Sequence, residues 1–223
     1  MLGAMVLLFG SMVGYFRVIL WRANLHEVEP GQLYRCAKMT PRDLDRLIAR
    51  TGIRTVVTFG SGGHQPWFQG QLEVCQKRGV LPIEVQLRGD QLPSREAVRQ
   101  LIEIHDLGAR PLLVQGYRGI DQCAFATAVM LLLDGTTTGR AFGQYAPSYG
   151  QLGGAAQSML GLPLVEYEHW LRERGWPHSP ERFRAWAGEE YLVRSAPEVP
   201  EPIRARIAAM TITAAPPSTT RLR

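Results

Sequence analysis

One short segment constrains the fold of this chain more than any other. Residues 111–115, Pro-Leu-Leu-Val-Gln, have the composition of a buried strand, and the apolar run 121–133 predicts a helix. A few residues around Gly119 separate the two elements, so the chain must turn sharply there. A buried strand that leads through a tight turn into a helix is typical of α/β proteins with a parallel sheet. Asp121 is the residue expected to cap the helix.

The same alternation of strand and helix precedes this segment. Strands are predicted at 25–28, 32–35, 54–59 and 80–87, and helices at 40–52, 67–77 and 94–104. The predicted fold class is therefore α/β, with a mostly parallel central sheet flanked by helices. Ligands of such sheets sit beyond the carboxyl ends of the strands, where the turn at 115–122 lies. Helices are predicted again at 165–174 and 180–191, whereas 140–160 is too rich in glycine to assign.

The first 22 residues are predicted to be a transmembrane anchor. Residues 1–16 carry no charged side chain, and residues 18–21 continue the apolar stretch after Arg17. If Arg17 snorkels to the interface, the stretch reaches about 20 residues, enough to span a bilayer. A signal peptide is less favoured, because no basic residues precede the apolar run and no small-residue cleavage site follows it. Arg17 and Arg22 favour a cytoplasmic body for this single-pass protein, and a periplasmic body stays open.

The charge of the chain is concentrated at its two ends. Residues 23–193 hold 18 basic and 18 acidic side chains, so the net charge of +5 comes from Arg17, Arg22 and the tail 194–223. This distribution argues against a nucleic-acid partner and points to a membrane surface. We expect residues 23–193 to form one domain. The tail, rich in Pro, Ala and Thr, is expected to be disordered.

Cysteine and histidine give no sign of a metal centre. Cys36, Cys75 and Cys123 are far apart in sequence and form no Cys-x-x-Cys motif. We therefore expect each of them to be a small, buried, hydrophobic residue. The five histidines lack the spacing of metal ligands. We therefore predict neither a metal site nor a cofactor.

The framework of the chain resembles a known family. The matching stretches are 28–35 (Val-Glu-Pro-Gly-Gln-Leu-Tyr-Arg), 40–48 (Thr-Pro-Arg-Asp-Leu-Asp-Arg-Leu-Ile), 52–57 (Gly-Ile-Arg-Thr-Val-Val) and 110–114 (Arg-Pro-Leu-Leu-Val). Over roughly residues 25–191 they resemble the bacterial members of the dual-specificity and tyrosine phosphatase superfamily. That resemblance implies a two-step covalent mechanism, in which a thiolate attacks phosphorus, an arginine and loop amides hold the oxygens, and an Asp protonates the leaving oxygen.

The signature of that superfamily is degenerate here. Its pattern His-Cys-x-x-Gly-x-x-Arg-Ser/Thr falls on Gln115, Gly116, Gly119, Gln122 and Cys123. Gly116 has no side chain with which to attack, and Gln122 brings neither the charge nor the fork of an arginine. Cys123 is expected on the far side of the turn from position 116. The residues that shape the turn are therefore retained, whereas the residues that perform the chemistry in that superfamily are replaced.

The candidate site is the equivalent of the phosphate-binding loop. It comprises Gln115, Gly116, Tyr117, Arg118, Gly119, Ile120, Asp121 and Gln122. The backbone amides of this turn, at a helix N-terminus, can form a nest for an anion. Arg118 is a candidate to face that anion, with solvent as the alternative. Asp90 matches the region of the general acid, and a solvated turn residue is the alternative.

Three functions are compatible with these observations. The first is a membrane-tethered pseudophosphatase that binds a phosphorylated or anionic ligand without turnover. The second is an active phosphatase that hydrolyses phosphate monoesters through a non-standard site, for which Asp90, Asp121 and Cys123 are the available groups. The third is a degraded gene product, against which the predicted helix caps Thr40 and Ser94 argue. The oligomeric state and the ligand stay open.

Overall fold

The computed structural model describes residues 23–60, 66–107 and 109–191. The predicted membrane anchor at 1–22 and the predicted disordered tail at 194–223 lie outside the described residues. Within the described ranges, no helix has the length and apolar character needed to cross a bilayer.

The strands of the described residues form one sheet at the centre of the molecule. They are β1 (His26–Glu29), β2 (Leu33–Ala37), β3 (Thr55–Phe59), β4 (Leu81–Val85) and β5 (Leu112–Gly116), in the spatial order β1-β2-β5-β3-β4. β1 and β2 pair antiparallel, and the remaining pairs are parallel. The mostly parallel sheet is therefore confirmed. β5 lies in the middle, so the turn that follows it is surrounded by the ends of β2 and β3.

Helices lie on both faces of the sheet. Their bounds are α1 (Pro41–Thr51), α2 (Pro66–Arg78), α3 (Arg95–Asp106), α4 (Asp121–Leu133), α5 (Thr138–Phe142), α6 (Leu162–Glu173) and α7 (Pro180–Ala185). The Thr40 hydroxyl accepts a hydrogen bond from the Asp43 amide and caps α1, as the sequence predicts. Ser94 caps α3 in the same way, through the Ala97 amide. A π-helical turn, Trp186–Glu190, continues α7.

α4 is the central helix of the hydrophobic core. Every residue from 123 to 133 is buried, which explains why its sequence is apolar on all sides. One face of α4 packs on the sheet, and α6 and α7 cover another with an aromatic cluster of Tyr167, Phe183 and Trp186. A second core, on the opposite face of the sheet, joins α1 and α2 to β2, β3 and β5. The start of α4 is thereby held rigidly at the end of β5.

The glycine-rich stretch that the sequence leaves unassigned consists of short helical turns. These are α5 and the 3-10 helices Gly143–Tyr145, Pro147–Tyr149 and Ala155–Gln157. Gly161 is required for close packing, because a Cβ there would collide with the Ala155 carbonyl oxygen. Such irregular backbone carries no hydrophobic period, so the sequence gives no signal for it. Its side chains nevertheless reach the turn after β5.

Candidate functional site

The turn after β5 is pressed against the end of β2. Gly119 has φ +68°, and a Cβ built on it would lie 2.5 Å from the Ala37 nitrogen and 2.7 Å from the Cys36 carbonyl carbon. A side chain at position 119 is therefore excluded both by conformation and by contact with backbone. The sharp turn around Gly119 that the sequence predicts is therefore present in the structure.

Two buried side chains hold the carbonyl groups of the turn from below. The Arg35 guanidinium donates to the carbonyl oxygens of Gly119 at 2.8 Å and Ile120 at 3.0 Å. The Asn24 amide donates to those of Arg118 at 3.3 Å and Gly119 at 3.1 Å. Three consecutive carbonyl groups thus point into the protein.

The orientation of the carbonyl groups fixes that of the amides. In a trans peptide the C=O and N–H point in opposite directions, so the amides of Gly119, Ile120 and Asp121 point away from Arg35 and Asn24. These amides precede the N-terminus of α4, where the helix dipole is positive. The turn therefore presents a row of backbone donors of the kind that binds oxyanions.

Arg35 places a positive charge beneath these amides. Its side chain is fully buried, stacks on the Tyr149 ring at 4.2 Å and also donates to the Gln144 carbonyl at 2.8 Å. Burial lowers the pKa of Arg35 from its usual value, although the guanidinium stays charged at neutral pH. Because its donors bind the turn's carbonyl groups, the charge polarises the peptides whose N–H groups face outward. Nothing in the sequence pattern singles out Arg35 or Asn24 as parts of this site.

Position 116 lacks a nucleophile, and a thiol lies beside it. A Cβ on Gly116 would lie 3.0 Å from Cys123 Sγ. The prediction that Cys123 is on the far side of the turn is therefore wrong, because the first turn of α4 rotates this side chain back under Gly116. Cys123 is fully buried and contacts the carbonyl oxygens of Cys36 at 3.4 Å and Val114 at 3.6 Å. Burial raises the pKa of the Cys123 thiol to about 11.

The Gln122 side chain lies between Gly116 and the segment after β4. Its Nε2 donates to the Leu87 carbonyl oxygen at 2.6 Å, which ties α4 to the segment after β4. Its Oε1 lies 3.2 Å from the position of a Cβ on Gly116. Gln122 therefore fills part of the space that a cysteine side chain would need.

Asp90 does not have the properties of a general acid. Its carboxylate is exposed and pairs with Arg88 through two hydrogen bonds of 2.8 and 3.1 Å. The hydrogen bond from Arg88 lowers the pKa of Asp90, so the group is ionised at neutral pH and carries no proton to give. The alternative interpretation of Asp90, a solvated turn residue, agrees with this geometry.

The prediction that Asp121 caps α4 is wrong. The cap position is Ile120, which makes no side-chain cap, and Asp121 is the first helical residue. Its carboxylate accepts from Gln151 Nε2 at 2.5 Å and from Ser158 Oγ at 2.8 Å. Asp121 therefore fastens the glycine-rich stretch to the start of α4, and it does not cap the helix because it lies one position inside it.

Tyr117 and Arg118 form the outer rim of the turn. Both side chains are exposed, and 74% of Tyr117 is accessible to solvent. The Arg118 side chain is exposed, a position that is compatible both with solvent and with an anion bound at the turn. Among the described residues, no group of three or more His, Cys, Asp or Glu side chains is arranged to hold a metal ion.

Strand order, turn and helix together define a class of protein: the chain has the fold of the tyrosine and dual-specificity phosphatases, which use a cysteine nucleophile. Solved structures with this fold include P. aeruginosa TpbA, 17% identical, with a TM-score of 0.50 over 65% of this chain and 84% of that one. Tk-PTP in its active form is 18% identical, with a TM-score of 0.50 over 68% and 97%. The core catalytic domain of the PP-IP phosphatase SIW14 from S. cerevisiae is 15% identical, with a TM-score of 0.51 over 70% and 96%.

No protein-family model matches the chain, and no curated protein matches its sequence. The likeness therefore rests on the arrangement of the backbone rather than on shared residues.

Proposed function

We propose that this chain is a catalytically inactive, membrane-tethered phosphatase-like protein whose turn at 116–122 binds the oxyanion of a phosphorylated ligand. The observation that carries the proposal is the exchange at one position: Gly116 replaces the nucleophile, and the neighbouring Cys123 thiol is buried and protonated. The outward-facing amides of the turn keep the capacity to bind.

Each chemical role of the phosphatase mechanism lacks its residue. A thiol with a pKa of about 11 yields almost no thiolate at neutral pH, so Cys123 is a poor substitute nucleophile. Gln122 donates to Leu87 and has no charge to offer the phosphoryl oxygens. Asp90 is ionised and paired with Arg88. Because all three roles are lost, we expect the covalent reaction to be abolished and not merely slowed.

Anion binding is supported by groups that the exchange leaves in place. The amides of Gly119, Ile120 and Asp121 face away from the interior, because Asn24 and Arg35 hold the preceding carbonyl groups. The N-terminus of α4 adds its dipole to this row of donors. A small oxyanion is the ligand that such a row fits.

Catalytic activity is tested with p-nitrophenyl phosphate and a phosphotyrosine peptide. We expect the purified full-length chain, in detergent, to show no hydrolysis above the uncatalysed rate. Cys123→Ser and Asp90→Ala are the control variants. Turnover by the parent that either variant abolishes would establish the alternative function, an active phosphatase with a non-standard site.

Binding at the turn is tested by titrating the same protein with tungstate and following backbone amide resonances by NMR. We expect the amide signals of Gly119, Ile120 and Asp121 to shift in a saturable manner. The amide of Gly52, which donates to Ile48 at the end of α1, is the internal control and should not shift. A titration that moves all four signals equally, or none, would refute a site at the turn.

The membrane tether is tested by fractionation. We expect the full-length chain to remain with membranes after a high-salt wash and to require detergent for release. A chain that begins at Ala23 should leave the membrane fraction with the wash. The tether is ruled out if the full-length chain is released by salt alone.

A further inference from the structure

The chain enters the described domain at the same edge of the sheet as the turn. β1 runs antiparallel to β2, so its first residue lies at the edge where the parallel strands β2 and β5 end. The Ala23 carbonyl accepts from the amide of Ala37, the last residue of β2, at 2.6 Å. One residue later, Asn24 donates to the Arg118 and Gly119 carbonyl groups. Ala23 and the turn are therefore neighbours.

The reach of the backbone relates that edge to the bilayer. The last apolar residue of the predicted anchor is Trp21, and two peptide units join it to Ala23. Two residues of extended chain span at most about 7 Å. The head-group layer on each side of a bilayer is about 5–8 Å thick, because the hydrocarbon core takes about 30 Å of a total of about 40–45 Å. In a chain anchored by residues 1–22, Ala23 therefore lies within or next to the head-group layer, whatever path the backbone takes.

Apolar and aromatic side chains project from this edge. Tyr117 and Leu152 are 74% and 76% exposed. Leu152 belongs to this edge because it follows Gln151, whose side-chain amide donates to Asp121 at the start of α4. Tyrosine is favoured at the level of the lipid head groups, and an apolar side chain gains burial there. Both side chains thus suit a membrane surface.

Basic side chains accompany them. Arg118 is exposed in the turn, and Lys38, the residue after β2, is partly exposed. The Lys38 ammonium lies 3.4 Å from the centroid of the Trp67 ring. Basic residues close to an anionic bilayer are attracted to its surface, and the attraction falls off within a Debye length. The charge of this edge is therefore complementary to that of an anionic leaflet.

We propose that this edge rests on the surface of the anchoring bilayer, and that the oxyanion at the turn is the phosphomonoester head group of an anionic phospholipid. The assignment rests on the tether and the oxyanion site proposed above. A turn without the arginine fork holds a free phosphate ester weakly. A lipid in the same bilayer is presented at an effective concentration on the order of mM, so that weak donors suffice. A soluble phosphorylated ligand has no such advantage.

The position of the edge is tested on the full-length chain in phosphatidylcholine nanodiscs that contain a trace of lipid with a spin-labelled head group. The label broadens the NMR signals of nearby amides. We expect strong broadening at Tyr117, Arg118 and Leu152. The amides of Arg54 and Leu107, which precede β3 and β5 at the opposite edge of the sheet, should be little affected.

The head group is tested by adding phosphatidic acid to the nanodiscs. We expect the amide signals of Gly119, Ile120 and Asp121 to shift in a saturable manner as the fraction of this lipid rises. Phosphatidylserine is the lipid control, since it adds negative charge without a phosphomonoester, and it should shift these signals much less. Glycerol 3-phosphate, added to phosphatidylcholine nanodiscs at the same bulk concentration, should leave them in place.

Variants with matched controls separate this edge from the rest of the surface. Arg118→Gln should raise the fraction of phosphatidic acid needed for half-saturation by about fivefold, and Leu152→Ser should raise it as well. Arg54→Gln and Leu107→Ser make the same exchanges at the opposite edge and should behave like the parent. All four side chains are exposed, so each variant should fold.

Several results would overturn the proposal. Broadening at Arg54 and Leu107 that equals or exceeds that at Tyr117 would show that the edge faces away from the bilayer. Amide signals that phosphatidic acid does not shift, or shifts no more than phosphatidylserine, would remove the phosphomonoester. An equal shift with glycerol 3-phosphate would make the ligand a soluble phosphate ester.

These results are distinguishable from a failure of the proposed function. Each of them can occur while tungstate binds the turn, in which case the oxyanion site stands and the lipid assignment falls. Release of the full-length chain by the high-salt wash refutes the tether, and the lipid assignment with it.

Discussion

Restoring the two missing groups of the signature should convert the turn into a much tighter oxyanion site. The perturbation is Gly116→Cys together with Gln122→Arg. Gly116 is the last residue of β5, and its φ is not positive, so a side chain is conformationally allowed. The new arginine stands in the first turn of α4, close to the outward-facing amides.

The expected gain in affinity follows from the donors that are added. A hydrogen bond to a charged group contributes about 1.5–3 kcal/mol, and a forked guanidinium on an oxyanion should supply at least one such bond. At 1.4 kcal/mol per factor of ten, tungstate should bind about 10- to 150-fold more tightly. Catalysis should stay weak, because Asp90 remains paired with Arg88 and ionised.

The cost in stability also follows from the structure. The new Cβ would lie 3.0 Å from Cys123 Sγ and 3.2 Å from Gln122 Oε1, which is tight enough to require small shifts. Overpacking of this kind costs about 1–3 kcal/mol for Gly116→Cys alone. Gln122→Arg removes the second contact, and adding Cys123→Ser should recover part of the remaining loss.

The assay is calorimetry with tungstate on full-length protein in detergent, with the melting temperature measured in parallel. Gln122→Lys in place of Gln122→Arg is the matched control, since it adds the charge without the fork, and its affinity should be intermediate. If the double variant folds and its affinity for tungstate stays within about threefold of the parent, the turn does not have phosphatase geometry. The account of the site would then be refuted.

Three further predictions concern the supports of the fold. Gly119→Ala should destabilise the protein by about 2–5 kcal/mol in urea unfolding, because a left-handed alanine and the contact with Ala37 both cost energy; an effect below about 1 kcal/mol would show that the turn relaxes freely. Arg35→Met should leave the turn's carbonyl groups unpaired and weaken tungstate binding more than Arg35→Lys does; equal binding would remove Arg35 from the site. The hydrogen bond to Asp134 raises the pKa of His105 in the folded protein. The contribution of His105 to stability is therefore complete below its pKa in the unfolded chain, about 6.5, and is lost as the pH rises through its higher pKa in the folded protein. The stability difference between the parent and His105→Asn should therefore shrink from pH 5.5 to pH 8.5, and a difference that grows would contradict this assignment.

The sequence predicts the turn because its signals are local. A buried strand, a glycine and an apolar helix within about 25 residues leave few alternatives, and the alternation of strands and helices predicts a mostly parallel sheet, although not the order of its strands. Thr40 and Ser94 were predictable as helix caps for the same reason, since a cap contacts the backbone three residues away.

The supports of the turn were not predictable, because their partners are distant in sequence. Asn24 and Arg35 bind carbonyl groups more than 80 residues further along the chain. The residues next to them in the sequence give no indication of these partners. Asp121 was assigned as a cap by residue type alone, and its real partners come from a stretch without periodicity. The sequence predicts the wrong position for Cys123, because a shift of one helical position decides whether a side chain faces the core or the turn.

Asn24 also connects the N-terminal end of the described chain directly to the turn. Its amide joins the turn to the Tyr149 carbonyl as well, and the neighbouring Ala23 carbonyl accepts from Ala37 at 2.6 Å. A force applied to the chain ahead of Ala23 therefore acts first on the end of β2, through Ala37, and one residue later on the Arg118 and Gly119 carbonyl groups, through Asn24. The point at which the described chain begins and the turn after β5 thus share one side chain, so a displacement of Asn24 would also displace the carbonyl groups that set the direction of the turn's amides.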